Sequence, residues 1–561
     1  MIAHVSPISG IDAFGGRWVA TAGYDNQVIL WDARTKTAVA RGCHDHLANQ
    51  CRFSACGRFL ISAGSDHSAR LWSVPTMRLL AVMADHEDDV EMAVPCPASR
   101  RIATASRDYR VRVFDFSGRR ELTFEGHAAD VISVEWIRGG AELVSSSDDG
   151  TVRRWDPQTG QPIDVVDLGG IESDTVVATP DGILFVGNDV GEIVSVARGR
   201  TSSVKAHDAG IKRLVFDAER RVLVSAGYDR CIQVWQSSED GKLRRAHMAE
   251  VPPQVWLRAA CFVSPSMLAF GTFGSSYATY DIAAARWDLS HVEDTPGVNA
   301  VLAFDGCRIT TGDAGRVHRA GRIQSTPGSL CNFLTQWDGG VVTGGQSGEL
   351  FDAMTGEVLH RHRSPLNCAV EIRREEEPQL IVGTYTGEGL VFARRAGAIA
   401  HVRDVELHAN AVKGIACNGP RIFSVDATGA AAFHRTNDLG LEQRIPKAHL
   451  RISNGADSLP DGRFVSVSRD RKLSIWNGAM PTVIETPHTH SIKCIRAGRR
   501  LVATGSYSGM VCLYDVDEQA WVHHERPTCA GISSLARAEE PDMFLASSYD
   551  GKVYEIRGAE R

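Results

Sequence analysis

The sequence predicts an all-β chain of about fourteen four-stranded units, closed into two tandem rings of seven. Three observations carry this expectation. A short motif returns along the chain, the residues between its returns read as short strands split by turns, and almost no stretch shows sustained helical periodicity. In the motif a Ser or Thr lies four positions before an Asp, and an aromatic lies six positions after it. It occurs as Thr21, Asp25 and Trp31; Ser62, Asp66 and Trp72; Thr104, Asp108 and Phe114; Ser145, Asp149 and Trp155; Ser225, Asp229 and Trp235; and Ser466, Asp470 and Trp476. The first four Asp positions are about 41 residues apart, which is the period of a blade in a ring of blades. Runs such as Val131–Trp136, Glu142–Ser146 and Thr151–Trp155 are β-rich and separated by Gly, Asp and Pro turns. Four such strands make a blade, and a ring of blades leaves only short edges open to aggregation.

Eight weaker units keep the spacing. They lie around Gly187-Asn188-Asp189, Gly271-Thr272-Phe273-Gly274, Thr310-Thr311-Gly312-Asp313, Thr343-Gly344-Gly345, Val382-Gly383-Thr384-Tyr385, Phe423-Ser424-Val425-Asp426, Thr504-Gly505-Ser506-Tyr507 and Ala546-Ser547-Ser548-Tyr549-Asp550. One ring of fourteen exceeds the usual four to eight blades, whereas two rings of seven divide the number cleanly. The boundary reads near Thr295-Pro296-Gly297, giving an N-terminal propeller over 1–296 and a C-terminal propeller over 297–561. The last unit ends at Lys552–Ile556 without an evident fourth strand, and residues 2–6 are expected to supply it and close the C-terminal ring.

These residues resemble the WD-repeat family of β-propellers. The resemblance implies a hydrogen-bonded tetrad in each regular blade, made by a His from the preceding loop with the Ser or Thr, the Asp and the Trp. Carried onto this chain, one tetrad is His127, Ser145, Asp149 and Trp155, and another is His207, Ser225, Asp229 and Trp235. Ser62, Asp66 and Trp72 take His44 or His46. A buried Asp is costly without several donors, so these residues are expected to be structural. The tandem arrangement is similar to that of the actin-interacting double propellers of eukaryotes, on blade count and not on motifs, so actin binding is not carried over.

Composition narrows the function. Hydrophobic residues at 43% and charged residues at 23% are those of a globular chain. A net charge of −7 disfavours wholesale nucleic-acid binding, although Arg469-Asp470-Arg471-Lys472 offers a local basic rim. Lys supplies only nine of the 61 basic residues, a bias that fits a GC-rich, bacterial genome. No signal segment and no apolar run near the ~20 residues of a membrane span is visible. The thirteen cysteines contain no C-x-x-C pair, and Cys51, Cys231, Cys261 and Cys512 sit among apolar strand residues. A reducing cytoplasm fits.

Catalytic signatures are missing from the sequence. Gly241-Lys242 and Gly551-Lys552 lack the rest of a phosphate loop, and His86-Glu87 continues Asp88-Asp89-Val90 rather than completing H-E-x-x-H. The pairs His44/His46, His360/His362, His488/His490 and His523/His524 are the one arrangement that suggests a metal, but a blade places a His at this junction anyway. No metal or cofactor is expected. The run Glu375-Glu376-Glu377 reads as a solvated hairpin, and Glu87-Asp88-Asp89 as an acidic patch.

The residue just before the turn Asp is, by the resemblance, directed to the top rim of the central channel. These positions are Tyr24, Ser65, Arg107, Asp148, Asn188 and Tyr228 in the first half, and Tyr385, Arg469, Tyr507 and Tyr549 in the second. Tyr and Arg are enriched where proteins grip one another. The expected function is therefore a non-enzymatic scaffold or complex subunit that binds other proteins through these faces. The alternative is an enzyme or metal-dependent binder with a His/carboxylate site in a channel.

Overall fold

A computed structural model describes residues 2–197, 199–374, 377–395 and 398–558. Glu375 and Glu376 of the acidic hairpin lie outside the described residues. The chain divides into two compact units, Met1–Asp294 and Thr295–Arg561. Thr295 and Pro296, assigned to the first half by sequence, thus belong with the second, where the Thr295 hydroxyl donates to Asp313 Oδ2 at 3.3 Å. Among the described residues no helix is long and apolar enough to cross a membrane.

Each unit holds seven antiparallel sheets taken in chain order. Thirteen sheets have four strands. Among the described residues the fourteenth has three, Ile532–Arg537, Met543–Ser548 and Val553–Arg557, in keeping with the lack of an evident fourth strand after Lys552–Ile556 in the sequence. Blade 4 shows why the sequence reads as it does. Its strands are Val131–Ile137, Glu142–Ser147, Thr151–Trp155 and Pro162–Asp167. The first two are buried almost throughout, while the last is mostly exposed. An inner strand is covered on both faces by neighbouring blades, so period-two alternation disappears there and apolar residues run on continuously. Its turn needs glycine at Gly150, where φ is +74° and a Cβ would stand 2.5 Å from the backbone of Gly170.

The first strand of every sheet faces the ring axis, and neighbouring first strands pack side by side. In the first unit Ile8–Phe14 packs against both Ala48–Phe53 and Val255–Ser264, so blade 1 meets blade 7 and the ring is closed. A core of Ile11, Val19, Ile29 and Trp31 against Ala259, Cys261, Ala269 and Tyr277 seals that seam. In the second unit Val298–Phe304 packs against Ile532–Arg537, and Val301 meets Ala536 and Leu545. The three-stranded blade therefore still closes its ring, because closure runs through inner strands and needs no borrowed outer one.

Residues 2–6 do not complete the last blade. They strap the first ring: His4 N donates to Ser275 O of blade 7 at 3.0 Å, while the His4 ring reaches Thr21 and Asp25 of blade 1. His4 is the tetrad histidine that blade 1 needs, and a buried imidazole binds where its partners are.

A second recurring device joins adjacent blades. The second residue of an inner strand donates its side chain to the carbonyl of the first residue of the next inner strand. Ser9 donates to Ala48 O at 2.6 Å, Asn49 to Val90 O at 3.0 Å, Asn332 to Leu366 O at 2.8 Å, Asn367 to Val412 O at 2.9 Å and Asn454 to Ile492 O at 2.7 Å. Ser533 donates to Val298 O across the second seam. Asn332→Ala and Asn367→Ala each remove one such bond, worth about 1 kcal/mol. Each is expected to lower the melting temperature of the second unit by about 2–4 °C in a thermal melt. An unchanged Tm in both variants would show that the latches carry no stability.

Candidate interaction surface at the ring mouths

The tetrads form by a fixed donor logic. Trp155 Nε1, a donor only, gives its hydrogen to Ser145 Oγ at 2.9 Å. Ser145 Oγ then faces His127 Nε2 at 2.8 Å, and His127 Nδ1 faces Asp149 Oδ2 at 2.8 Å. The direction set at the indole thus runs through to the carboxylate. Asp149 also accepts from Ala128 N at 3.0 Å and Thr151 N at 2.8 Å, so its turn is capped from three sides. His207, Ser225, Asp229 and Trp235 repeat the arrangement, with Trp235 donating to Ser225 at 3.1 Å. In blade 2 the histidine is His44, 2.7 Å from Ser62. Burial pushes the Asp149 and Asp66 carboxyls up, but bonding to His127 and His44, together with the Thr151 and Ser68 hydroxyls and backbone N–H groups, outweighs it and holds both below the usual range.

Sequence spacing missed how far the tetrads degrade gracefully. His86 with Thr104 and Asp108 lacks only the Trp, His408 bonds Ser424 at 2.9 Å with Asp426 beside it, and His488 bonds Thr504 at 2.8 Å with no Asp in the turn. Burial drives the His488 imidazole down to about 4, so it is neutral at physiological pH.

A backbone hydrogen bond defines the position just beyond the second strand in all fourteen blades. Tyr24, Arg107, Asp148 and Tyr228 donate their N–H to Pro7, Asp89, Asp130 and Gly210, and Tyr385, Arg469, Tyr507 and Tyr549 donate to Pro365, Ile452, Ser491 and Gly531. Ser65 donates to Leu47 in the same way. The bond corrects blade 5, where the residue in this place is Asp189, donating to Glu172, and not Asn188. Asn188 is buried and its side chain is bound to Glu192. The same bond adds Phe273, Asp313, Gln346 and Ala427, which lack the turn Asp that spacing relied on.

In the first unit these residues come from different blades yet interact, which places them together at one end of the axis. Arg107 Nε donates to Glu91 at 2.5 Å and its Nη1 to Asp130, while Arg258 donates to Glu91 at 2.9 Å. Lys212 pairs with Asp174 and, at 2.6 Å, with Asp189, and stands 5.0 Å from the Tyr228 ring. Tyr24 packs edge-on against Trp256 at 5.2 Å. Acids outnumber bases here. Burial, followed by the charges of Glu172, Asp130 and Asp174, pushes the Asp148 carboxyl well above its usual range.

The second unit gathers cations and phenols. Lys413 lies 4.1 Å from the Tyr385 ring, and Arg469 and Lys493 lie 5.7 and 5.9 Å from the Tyr507 ring. Lys413, Lys493 and Lys212 occupy the strand position that carries a latch asparagine elsewhere, so blade-to-blade bonds have been exchanged there for charge at the mouth.

The histidine pairs are spread over different surroundings. His44 and His488 belong to tetrads, His360 stacks on His401 at 5.0 Å, His362 contacts Ser364, and His523 faces Glu525. Among the described residues the one group with close ligand atoms is His67, Asp88 and Asp89. The basic run also disperses: Asp470 caps a turn and Lys472 pairs with Glu485.

The family described as WD domain, G-beta repeat matches residues 1–32, 38–73, 118–156 and 199–236, and its first match includes His4. Similar proteins include nuclear distribution protein PAC1 of Arthroderma benhamiae, 32% identical over 177 residues, covering 27% of this chain and 38% of the relative. Transcription initiation factor TFIID subunit 5 of Caenorhabditis elegans is 32% identical over 156 residues, covering 27% and 24%. Guanine nucleotide-binding protein subunit beta of Oryza sativa subsp. indica is 24% identical over 207 residues, covering 33% and 54%. The chain thus spans between about a quarter and about half of the length of these relatives.

Asp313 yields a pH test. Burial pushes its carboxyl up to about 7, against the opposing effect of the Asn299 and Thr295 donors. A carboxyl raised in the folded state favours folding at low pH and opposes it as pH rises toward and past 7. Asp313→Asn is therefore expected to melt above the wild type at pH 8, with an advantage that shrinks through pH 5 and is lost near the unfolded carboxyl value of about 4. Parallel melting curves at both pH values would contradict the assignment.

Proposed function

The chain carries WD40 repeats, and from that premise we propose that it is a non-enzymatic protein-interaction scaffold or a subunit of a larger complex. Its partners are other proteins, bound through the ring mouths. The observation that carries this reading is the division of labour within each blade. The His, Ser or Thr, Asp and Trp of the regular blades are spent on holding turns, whereas the adjoining position is set by backbone alone and is left to vary in chemistry. Asp148, with Glu91, Asp130, Asp174, Asp189 and Glu172 around Arg107, Tyr24 and Tyr228, gives one mouth an acidic, aromatic character. Tyr385, Arg469, Tyr507 and Tyr549, with Lys413 and Lys493, give the other a cationic and phenolic one. Two of the similar proteins are themselves named as subunits, which supports a place in an assembly. Fold alone does not set function, so the residues must be tested.

The test is affinity purification from the native host with wild type, Arg107→Ala/Tyr228→Ala and Tyr507→Ala/Tyr549→Ala, each confirmed folded by circular dichroism. A co-purifying protein is expected to be lost with one pair and kept with the other. A partner kept by both, or a stoichiometric metal with no protein partner, would overturn the reading.

A further inference from the structure

The channel of the first unit contains a charged group that neither the tetrads nor the mouth uses. Asp12 lies on the inner strand of blade 1, Arg52 on that of blade 2, Glu135 on that of blade 4 and Arg213 on that of blade 6. Side chains from blades spread around a ring of seven meet only at its axis. They do meet: Arg52 stands 3.7 Å from Asp12 and 3.8 Å from Glu135, and Arg213 interacts electrostatically with all three.

Both arginines leave hydrogen-bonding capacity unused, although Asp12 and Glu135 favour the charged form of Arg52. Neither contact of Arg52 is short enough for a hydrogen bond, and among the described residues its Nε has no partner. Arg213 is only 5% exposed, and among the described residues its Nε and Nη2 have no hydrogen-bond partner. A buried guanidinium with two unused donors is costly. The charges of Asp12 and Glu135 offset that cost only in part. Asp12 is committed to Phe53 N at 2.8 Å and Glu135 to Trp136 N at 3.1 Å, and burial lifts both carboxyls toward the neutral form. Burial first, and then the like charge of Arg52, pull Arg213 down to about 9.

Nε and Nη2 form one edge of the guanidinium, the edge that offers two parallel N–H bonds to a carboxylate or phosphate. Arg52, Asp12 and Glu135 have side chains 21%, 15% and 29% exposed, so solvent reaches the group while Arg213 lies deeper. We propose that the channel of the first unit is an oxyanion site, in which Arg213 holds a carboxylate or phosphate group through Nε and Nη2 and Arg52 supplies a second positive charge. The site is separate from the mouth residues and does not depend on partner binding there.

The experiment is thermal melting of the full chain in sodium phosphate, sodium acetate or sodium chloride at matched ionic strength. Wild type is compared with Arg213→Met and Arg213→Lys, each checked by circular dichroism. Phosphate, acetate or both are expected to raise the wild-type Tm with concentration relative to chloride, and whichever acts identifies the preferred oxyanion. The rise should vanish in Arg213→Met and shrink in Arg213→Lys, which keeps the charge but loses the two-donor edge. Indifference of the wild type to both oxyanions, as when water alone solvates the guanidinium, would overturn the proposal. So would an undiminished response in Arg213→Lys, which remains decisive if the Met variant fails to fold.

Discussion

The constraint on which the regular blades depend is the burial of a turn carboxylate. An Asp tucked between two strands and the preceding loop must find several donors at once, and only one arrangement of His, Ser or Thr, backbone N–H and indole supplies them. At Asp149 those donors come from His127, Ala128 N and Thr151 N, and Trp155 fixes the direction of the chain through Ser145. Each regular tetrad therefore sets the distance from loop to turn in its own blade. Once that distance is set, the inner strand has a fixed place at the axis and the next blade has a surface to pack on.

Rings then close by side-to-side packing, and the two seams use different means. The first combines an apolar core with the His4 strap, so the N-terminal segment serves blade 1 and blade 7 together. The second relies on Val301, Ala536 and Leu545 and on the Ser533 latch, with a last blade one strand short. Positions freed from latching, such as Lys212, Lys413 and Lys493, are where charge gathers, which links the packing of the rings to the chemistry of their mouths.

The sequence made the repeat and the regular tetrads legible because Thr21 to Asp25 to Trp31 is a local pattern, repeated within a dozen residues. It misplaced residues 2–6 because the partners of His4 lie on both sides of a seam that only the closed ring creates. It took Asn188 for Asp189 because blade 5 has no turn Asp to anchor the count, whereas the Asp189 to Glu172 bond does anchor it. The latches escaped because Asn367 acts on Val412, 45 residues on, and nothing near Asn367 announces that carbonyl. Arg213 escaped for the same reason, since Asp12, Arg52 and Glu135 come to it from three other blades.

The central claim is that each unit is a ring closed upon itself. The most direct measurement is to express residues 1–294 and 295–561 separately and record far-ultraviolet circular dichroism and thermal unfolding of each. Both fragments are expected to give β-sheet spectra and cooperative melts of their own, the second without help from residues 2–6. A fragment that is unfolded alone, and a 295–561 fragment that folds only when a peptide of residues 2–6 is added, would contradict closure of each ring by its own inner strands.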